Sequence, residues 1–490
     1  MPKYNLLFIF TDEQRADTMA TYGNPMIETP NFNRLASESV VFEQPYVTQP
    51  VCTPSRSSLL CGLYPHSTGC IENNVPLPSA MQCFPELLTD RDYATGYHGK
   101  WHLGDEIFAQ HGFEDWVSID DGYAKYYSPD RDPEARSDYH DFLVAHGYEP
   151  GPGNKFHRDY VARLPEDVSK PAFLAQEASR FIRENKDNPF VLFINFFEPH
   201  MPFYGPRNEQ YDPDTLPLPA SFNDLPTDDQ PLKLRLFQRA YAARGNHGMS
   251  LKTEADWRRV IANYWGLCSL VDTYTGQILD TLDACGLRDN TIVVYTSDHG
   301  DMMGNHRLLA KCVMFEEAAT VPLLLRLPGQ REGRRISGPV SHIDLVPTLL
   351  DLMEQPIPAH LQGKSLKPIL EQKGDVTLTD DVIFEWNGGN NGFGDKIGQV
   401  SIPESMLEIA AREEIIAAHT DPVRTIVTPE GWKFNCSPRG EHELYNLKDD
   451  PLEVHNLAFD PQWQPLMREL VERLRHWQTR TDDTVDLPTL

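Results

Sequence analysis

The sequence predicts an α/β protein in which helices cover a mainly parallel central sheet, with a smaller α+β unit at the C-terminal end. Its 490 residues are 40% apolar and 24% charged, which is enough apolar material to bury a large core. Short segments rich in β-branched and aromatic residues alternate with helix-like segments, a pattern typical of parallel sheets covered by helices. After about residue 370 the strand-like segments become shorter.

Four apolar segments are predicted to form strands of the large sheet, at 5–10, 190–196, 291–295 and 321–327. Three segments with apolar residues at helical spacing are predicted to form helices, at 170–185, 253–285 and 342–353. We therefore expect one large α/β domain at 1–370.

The C-terminal part is predicted to form a small antiparallel sheet and a terminal helix. Its short strands are expected at 381–386, 423–428 and 431–435, and its amphipathic helix at 462–480. A turn at 429–431 joins the last two strands as a hairpin. These segments make an α+β subdomain at 371–490.

The net charge argues against two classes of partner. Seventy-two acidic and 44 basic side chains give a formal charge of −28, so neither nucleic acid nor an anionic membrane is expected as a main partner. The apolar run at 6–10 is too short for a signal peptide or a membrane span, and no later segment reaches about 18 apolar residues. We expect a soluble, cytoplasmic protein, and a homo-oligomer is compatible with the sequence.

The eight cysteines do not form a disulfide framework. They are few for the length of the chain and include no C-x-x-C pair. Cys52, Cys61 and Cys70 recur every nine residues, which is not the spacing of zinc ligands. Buried free thiols are expected for all of them except Cys52.

Two long polar segments, 105–170 and 205–252, interrupt the α/β pattern. Because loops of this length usually have a function, they are expected to shape the substrate pocket. Tyr123, Tyr126 and Tyr127 predict an aromatic wall that could stack on a sugar or an aryl ring.

Acidic and imidazole side chains follow three of the predicted strands: Asp12 and Glu13, then His200, then Asp298 and His299. Ligands of open α/β sheets bind beyond the carboxyl ends of the strands, so these side chains are expected to converge. Carboxylates with little sulfur nearby favour a hard cation such as Ca²⁺ or Mg²⁺. Taken singly, each residue is more often a helix cap or a turn residue, and His299 has the alternative of a hydrogen bond within its own turn.

The segment 51–62 contains signals for the start and the end of a helix. Thr53 is a good N-cap, Pro54 a good first residue and Gly62 a good stop, so a short helix is predicted to begin just after Cys52. With Arg56 one turn further on, the N-terminus of this helix predicts an anion site. A phosphatase with a direct cysteine nucleophile is disfavoured, because three residues between the thiol and the arginine are too few for a phosphate-binding loop.

These motifs resemble the type I sulfatases of the alkaline phosphatase superfamily, and the arylsulfatases among them. The family signature C-x-P-S-R is matched at 52–56, and Gly62 follows after a helix of small residues. Further segments match in family order, at Asp12, 99–104, 199–202, 297–300, 311–322 and 443–457. The resemblance covers nearly the whole chain and implies an alkaline phosphatase-like fold with its catalytic domain at 1–370.

The resemblance also implies the nucleophile and the metal ligands. In this family the cysteine is oxidised to Cα-formylglycine (3-oxoalanine) by a formylglycine-generating enzyme, and the hydrated aldehyde attacks the ester. The implied ligands of a divalent cation, Ca²⁺ rather than Mg²⁺ or Mn²⁺, are Asp12, the modified Cys52, Asp298 and His299. Glu13 is a further candidate because it stands where relatives have Asp or Gln, and either Asn73 or Asn74 is a candidate to line the site.

Cleavage of a sulfate ester needs positive charge and protons at defined places, because negative charge develops on the sulfuryl oxygens and the departing alkoxide. Arg56, Lys100 and Lys311 are expected to supply fixed positive charge beside the cation. Read singly, each lysine is more often an ordinary surface residue.

Four residues are assigned to proton transfer. His200 with Lys311 is expected to protonate the leaving group, and Asp298 to take a proton from the attacking hydrate. His102 is expected to drive release of sulfate from the modified residue. Each histidine alone could be a turn residue. His306 is interpreted as structural, and no role is assigned to His66.

Three functions are compatible with these residues. The first is hydrolysis of an aryl, alkyl or carbohydrate sulfate ester. The second is hydrolysis of a phosphonate monoester or phosphodiester on the same modified cysteine, but such relatives usually lack the K-W-H arrangement present at 100–102. The third is a non-catalytic relative that binds sulfated glycans, which would have lost the nucleophile or the ligands. We rank the sulfatase first.

Overall fold

A computed structural model of the chain describes residues 3–389 and 402–490. The strands of the larger of its two sheets are β1 Asn5–Asp12, β2 Val40–Tyr46, β3 Ala94–Gly99, β4 Asp115–Val117, β5 Phe190–Pro199, β6 Thr291–Ser297, β7 Leu324–Arg326, β8 Arg334–Ser341 and β9 Val376–Thr377. Their order across the sheet is β4-β3-β5-β1-β6-β7-β2-β8-β9. The predicted central sheet is therefore confirmed.

The middle of this sheet is parallel and fixed in register. Leu6 of β1 lies opposite Val191 of β5 on one side and Ile292 of β6 on the other. The fourth predicted strand is shorter than expected, and as β7 it runs antiparallel to both β6 and β2. The sheet is thus mainly, but not wholly, parallel.

Helices cover both faces of the large sheet. The α-helices are α1 Pro30–Ala36, α2 Cys52–Cys61, α3 Pro65–Thr68, α4 Phe84–Leu87, α5 Asp138–Ala145, α6 Arg158–Val161, α7 Lys170–Glu184, α8 Leu232–Arg244, α9 Glu254–Ala284, α10 Glu316–Ala319, α11 Leu345–Leu352, α12 Lys367–Leu370, α13 Glu404–Leu407, α14 Arg412–Thr420 and α15 Gln464–Thr481. Short 3₁₀ helices lie at Ala16–Thr18, Ala20–Tyr22, Asp121–Tyr126, Glu166–Val168, Pro213–Thr215, Arg288–Asn290, Asn305–Arg307, His342–Asp344 and Pro461–Trp463.

Alternate residues of β1 belong to two different cores. Leu7 and Ile9 pack with α1, α7 and α9, whereas Leu6 and Phe8 pack with α2 and α11 on the opposite face. Because both faces are buried, the strand is apolar throughout instead of alternating with polar residues. The helices predicted at 170–185 and 253–285 are present as α7 and α9, and 342–353 forms a 3₁₀ turn followed by α11.

The smaller sheet is antiparallel, with strands β10 Val382–Glu385, β11 Arg424–Val427, β12 Trp432–Cys436 and β13 Glu443–Asn446 in that order. The predicted hairpin joins β11 to β12. Helix α15 packs on one face of this sheet through Leu470 and Leu474. Residues 376–377 form β9 of the large sheet, and the division of the chain at 370 stays a prediction.

The two polar insertions are folded. The segment 105–170 contains β4, α5 and α6, and 205–252 contains α8. All eight cysteines are free thiols. Among the helices of the described ranges, none is long and apolar enough to cross a membrane.

Gly99, the last residue of β3, lies where no side chain fits. Its φ is +122°, and a Cβ atom there would lie 1.9 Å from the carbonyl oxygen of Asn195 in β5. The absence of a side chain lets the two strands approach at the point where the chain leaves the sheet towards Lys100.

We expect Gly99→Ala to lower the free energy of unfolding by ~3 kcal/mol, because it combines an unfavourable φ with a backbone clash. Calorimetric or denaturant unfolding measures the loss. Gly23→Ala is the matched control, since Gly23 also has a positive φ, +99°, but no atom within 4 Å of the added Cβ. Equal losses in the two variants would contradict the role of the close approach.

Candidate active site

Four neighbouring parallel strands end at one place. Asp12 ends β1, Lys100 follows β3, His200 follows β5, and Asp298 follows β6. The first residue of α2, Cys52, lies among them, with its Sγ 3.7 Å from Asp12 Oδ1. The structure thus brings the strand-end residues and the C-x-P-S-R segment together.

Four ligand atoms form a compact cluster. Atoms of Asp12, Cys52, Asp298 and His299 lie within 4.8 Å of one another, and all four residues are buried. Cys52 Sγ lies 3.1 Å from His299 Nε2, which lies 3.6 Å from Asp298 Oδ1. His299 Nδ1 donates to the carbonyl of Gly300 at 2.8 Å, so the expected hydrogen bond within its own turn also aims Nε2 at the cluster. Two carboxylates and an imidazole around one point are suited to a divalent cation.

Glu13 has a positive φ of 71°, and its side chain forms a second group with Asp12 and His200. Glu13 Oε2 lies 3.0 Å from Lys311 Nζ and 3.4 Å from His200 Nε2. Neither carboxylate oxygen has a hydrogen bond of good geometry to a described residue. Burial raises the pKa of this carboxyl well above its usual range, although the ammonium of Lys311 opposes the shift. Glu13 therefore lies beside the four-atom cluster and not within it.

Arg56 connects the two aspartates from within the protein. Its Nε donates to Asp298 Oδ2 at 2.8 Å, and its Nη2 donates to Asp12 Oδ2 at 3.1 Å. Its Nη1 donates to the carbonyl of Lys100 and to Asn195 Oδ1. The guanidinium is completely buried, so Arg56 holds the carboxylates in place and does not face a substrate.

Lys100 and Lys311 are buried ammonium groups on opposite sides of Asp12 and Glu13. Lys100 Nζ contacts Asp12 Oδ2, and Lys311 Nζ contacts Glu13 Oε2. Burial disfavours the charged form of Lys100, but the Asp12 carboxylate together with Tyr123 and Cys52 outweighs burial and raises the pKa of Lys100. Cys52 and Glu13 outweigh burial at Lys311, whose pKa is raised well above its usual value. Both lysines therefore stay charged.

Helix α2 begins at Cys52, two residues before the expected first residue Pro54, and its N-cap is Val51. The prediction that Thr53 is the N-cap was wrong, because the Thr53 hydroxyl donates to the carbonyl of His102 at 2.8 Å. Asn73 Oδ1 instead accepts from the Thr53 backbone N–H at 3.1 Å, and Asn74 Oδ1 lies 3.0 Å from His102 Nε2. Both asparagines therefore support the site, one through the helix and one through the histidine.

The Cys52 thiol is not activated as it stands. Burial raises its pKa, and the Asp12 carboxylate raises it further. The ammonium groups of Lys311 and Lys100 lower the pKa but do not offset these effects. A thiolate nucleophile is therefore disfavoured, in agreement with the argument against a cysteine phosphatase.

His102 and His200 are both neutral imidazoles. Burial first, and then the positive charges of Lys100 and Lys311 respectively, lower their pKa values well below the usual range. His200 Nδ1 lies 2.7 Å from the carbonyl of Met201, which requires the proton on Nδ1 and leaves Nε2 facing Glu13. His102, with a φ of 60°, lies in a tight turn.

Several supporting residues were not found from the sequence. Glu106 accepts from the backbone N–H groups of Trp101 and His102 at 2.9 and 2.6 Å and fixes the turn that presents His102. Tyr264 of α9 donates to the carbonyl of Glu13 at 2.7 Å. Arg158 lies near the site opening. Only the position of Glu106, four residues after a motif histidine, gave any signal in the sequence.

His306 and His66 both contact groups outside the four-atom cluster. Both ring nitrogens of His306 contact backbone carbonyls, those of Asp224 and Leu452. His66 contacts Glu385 of the small sheet at 2.6 Å. The Tyr123 ring of the expected aromatic wall lies 4.6 Å from the His102 ring.

Comparisons with known proteins agree with this geometry. The family model Sulfatase matches residues 4–355. The chain is 29% identical over 488 residues to an ulvan-active sulfatase of Formosa agariphila, covering 96% of this chain and 80% of that protein.

Two solved structures share the fold. A phosphonate monoester hydrolase from Silicibacter pomeroyi superposes with a TM-score of 0.78 at 22% identity, covering 98% of this chain and 96% of that one. A protein in complex with its substrate D-glucosamine-2-N,6-O-disulfate superposes with a TM-score of 0.73 at 23% identity, covering 98% and 99%. With the family model matched over most of its length, the chain belongs to the sulfatase family of enzymes, the sulfuric ester hydrolases.

Proposed function

We propose that the protein hydrolyses the sulfate ester of a saccharide, with Cys52 converted to formylglycine and Ca²⁺ bound beside it. The observation that supports this most directly is the position of Cys52. Its Sγ lies in a buried cluster with two carboxylates and an imidazole, at the N-terminus of a helix and between two charged lysines. The unmodified thiol is a poor nucleophile there, since its pKa is raised.

The donor set fits the proposed groups. Asp12, Asp298 and His299 would hold the cation together with the modified Cys52. When bound, the cation supplies positive charge for the sulfuryl oxygens and formylglycine supplies a hydroxyl nucleophile. Oxygen-rich ligation favours Ca²⁺ over softer ions.

The chain's own cations hold the charge in place. Arg56 orients Asp12 and Asp298 through one hydrogen bond to each, which leaves Lys100 and Lys311 as the groups whose charge faces the reacting ester. Because all three lie in a site with little water, their charges act more strongly than at a surface.

Protons are assigned to atoms that the geometry makes available. Neutral His200 has its proton on Nδ1, so its Nε2 carries no proton of its own. The proton for the leaving oxygen therefore comes from Lys311. It reaches His200 Nε2 through Glu13 Oε2, which contacts both Lys311 Nζ and His200 Nε2. Neutral His102 is suited to accept a proton. Asp298 stays the candidate base for the attacking hydroxyl, since its carboxylate lies within the cluster around Cys52.

The saccharide part of the proposal is supported by the two insertions and by the relatives. The Formosa agariphila relative is named for its action on ulvan, and one structural neighbour holds a sulfated glucosamine. Initial rates on sulfated sugars, an aryl sulfate, a phosphonate monoester and a phosphate diester test this choice. Faster turnover of the phosphonate or diester than of every sulfate would overturn it.

We expect Cys52→Ala to abolish turnover, because the nucleophile is made from this residue. The intact mass of the peptide that contains Cys52 should show the aldehyde or its hydrate in active wild-type protein. Cys61→Ala is the matched control, since Cys61 is a buried cysteine at the other end of the same helix. Full activity in protein that carries only the thiol would contradict the proposal.

We expect Asp12→Asn and Asp298→Asn each to remove the bound divalent ion and to lower activity by at least about a thousandfold, since a hard cation loses one of two carboxylates. Elemental analysis and rates are measured on the same preparations. Asp92→Asn is the control, because this carboxylate is 79% exposed. Wild-type activity after exhaustive chelation, with no ion detected, speaks against the metal site.

We expect His200→Ala to slow sulfates with poor leaving groups at least about tenfold more than 4-nitrophenyl sulfate, whose phenolate needs little protonation. His102→Ala should instead leave kcat/KM for both kinds of substrate nearly unchanged and lower kcat, with a burst of phenol before slow turnover, because His102 acts after the ester bond is broken. The slope of kcat/KM against leaving-group pKa measures the difference. His247→Ala, a surface histidine in the second insertion, should leave the slope unchanged, and an unchanged slope in His200→Ala would show that the assignment is wrong.

A further inference from the structure

The three cations beside Cys52, which are Arg56, Lys100 and Lys311, each form an ion pair with a carboxylate of the site. The side chains of Arg56, Lys100 and Lys311 are between 0% and 7% exposed, and each is paired with an acidic residue of the site. None of them reaches a part of the substrate that extends beyond the reacting ester. Any recognition of such a part depends on residues at the opening of the site.

Arg158, the first residue of α6, is a partly exposed cation beside His102 and His200. Its side chain is 30% exposed, and it lines a small cavity together with His200. Its guanidinium carbon lies 4.7 Å from the centre of the Phe197 ring and 5.3 Å from that of Tyr123. The Phe197 ring packs against His200 at 4.8 Å, and the Tyr123 ring packs against His102 at 4.6 Å. Arg158 therefore spans the space between the two histidines.

Two of the three guanidinium nitrogens of Arg158, Nε and Nη2, are held by hydrogen bonds, and Nη1 is left for a ligand. Its Nε donates to Asp120 Oδ2 at 2.9 Å, and its Nη2 donates to the Tyr123 hydroxyl at 2.8 Å. Asp120 is itself held by the backbone N–H of Gly122 at 2.8 Å. Within the ranges that the structure describes, Nη1 makes no hydrogen bond. A planar fork held in this way is suited to a carboxylate or a sulfate.

The surroundings leave this group with excess positive charge. Lys170 Nζ lies 3.7 Å from the same oxygen of Asp120, so one carboxylate is shared by two cations. Glu198 lines the same cavity, and burial raises its pKa to about 7. At neutral pH this carboxyl is therefore only partly ionised and offsets only part of the charge.

We propose that Arg158 is a specificity-determining residue, whose Nη1 edge binds a second anionic group that the substrate carries beside the ester being hydrolysed. This proposal rests on the proposed function, because it concerns the same substrate at the same opening. The group recognised is a sulfate or a carboxylate. The substrate class is thereby narrowed from sulfated saccharides in general to saccharides that carry at least one further acidic group.

Four aryl sulfates test this without knowledge of the natural sugar: phenyl sulfate, 3-carbamoylphenyl sulfate, 3-carboxyphenyl sulfate and 1,3-phenylene disulfate. For each compound, kcat/KM of wild type is divided by that of Arg158→Met, so that differences between leaving groups cancel. We expect a ratio of about 30 for the two compounds with a second anionic group, the size of one charge-assisted hydrogen bond, and a ratio below about 3 for the two compounds without one. A larger ratio for the carboxylate or for the disulfate identifies which group is preferred.

Two further variants separate recognition from structure. Arg163→Met removes an exposed arginine of the same insertion that packs on the Tyr204 ring but does not itself line the cavity, and it should give equal ratios for all four compounds. Tyr123→Phe keeps the ring but frees Nη2, and should lower turnover of the acidic compounds in the same direction by a smaller factor. It decides the question if Arg158→Met does not fold, as judged by thermal unfolding.

The outcomes are distinguishable. If wild type hydrolyses phenyl sulfate and the ratio for Arg158→Met is the same for all four compounds, this inference is overturned and the proposed function stands. If wild type hydrolyses neither these four compounds nor any of the sulfated sugars used to test the proposed function, the proposed function fails and this inference fails with it. Selective loss of the acidic compounds supports both.

Discussion

The hydrogen bonds of the buried Arg56 guanidinium hold the site together. Asp12 and Asp298 leave adjacent strands with their carboxylates in the same cluster, and two such charges repel each other strongly away from water. Arg56 lies between them and bonds to both, and it also bonds to the carbonyl of Lys100 and to Asn195. One side chain of α2 therefore connects residues of β1, β3, β5 and β6, or residues that directly follow these strands, to the helix that carries Cys52. Removing it would leave buried carboxylates unpaired, which is costly.

The strands that the sequence predicts are those buried on both faces. β1, β5 and β6 are continuous apolar runs because helices cover each side, and such runs are easy to recognise. β3 was missed because it contains two glycines, a threonine and a histidine, and its pairing depends on the close approach of Gly99 to β5. The antiparallel direction of β7 depends on its neighbours, and a three-residue strand carries no signal of direction.

The residues of the candidate site likewise fall into those that the sequence predicts and those that it does not. Residues that follow predicted strands, such as Asp12 and Asp298, could be placed together because strand ends in a parallel sheet meet. Arg158 and Glu106 could not, since they lie in a long polar insertion without periodicity and reach the site only through tertiary packing. The N-cap at Thr53 was predicted incorrectly because its hydroxyl bonds to the distant turn at His102, a competition that local sequence does not show.

The burial of Cys52 also sets a time limit on its maturation. The thiol is only 1% exposed in the folded chain, and its contact with His299 joins residues 247 positions apart. During synthesis at about 5–20 residues per second, the segment carrying the thiol leaves the ribosome about 10–50 s before the strand that closes over it. An enzyme that modifies Cys52 has that interval in which the cysteine is accessible. Under the proposed function, a chain that folds before Cys52 is modified would keep an inert thiol, and the fraction of active protein would then depend on the speed of synthesis.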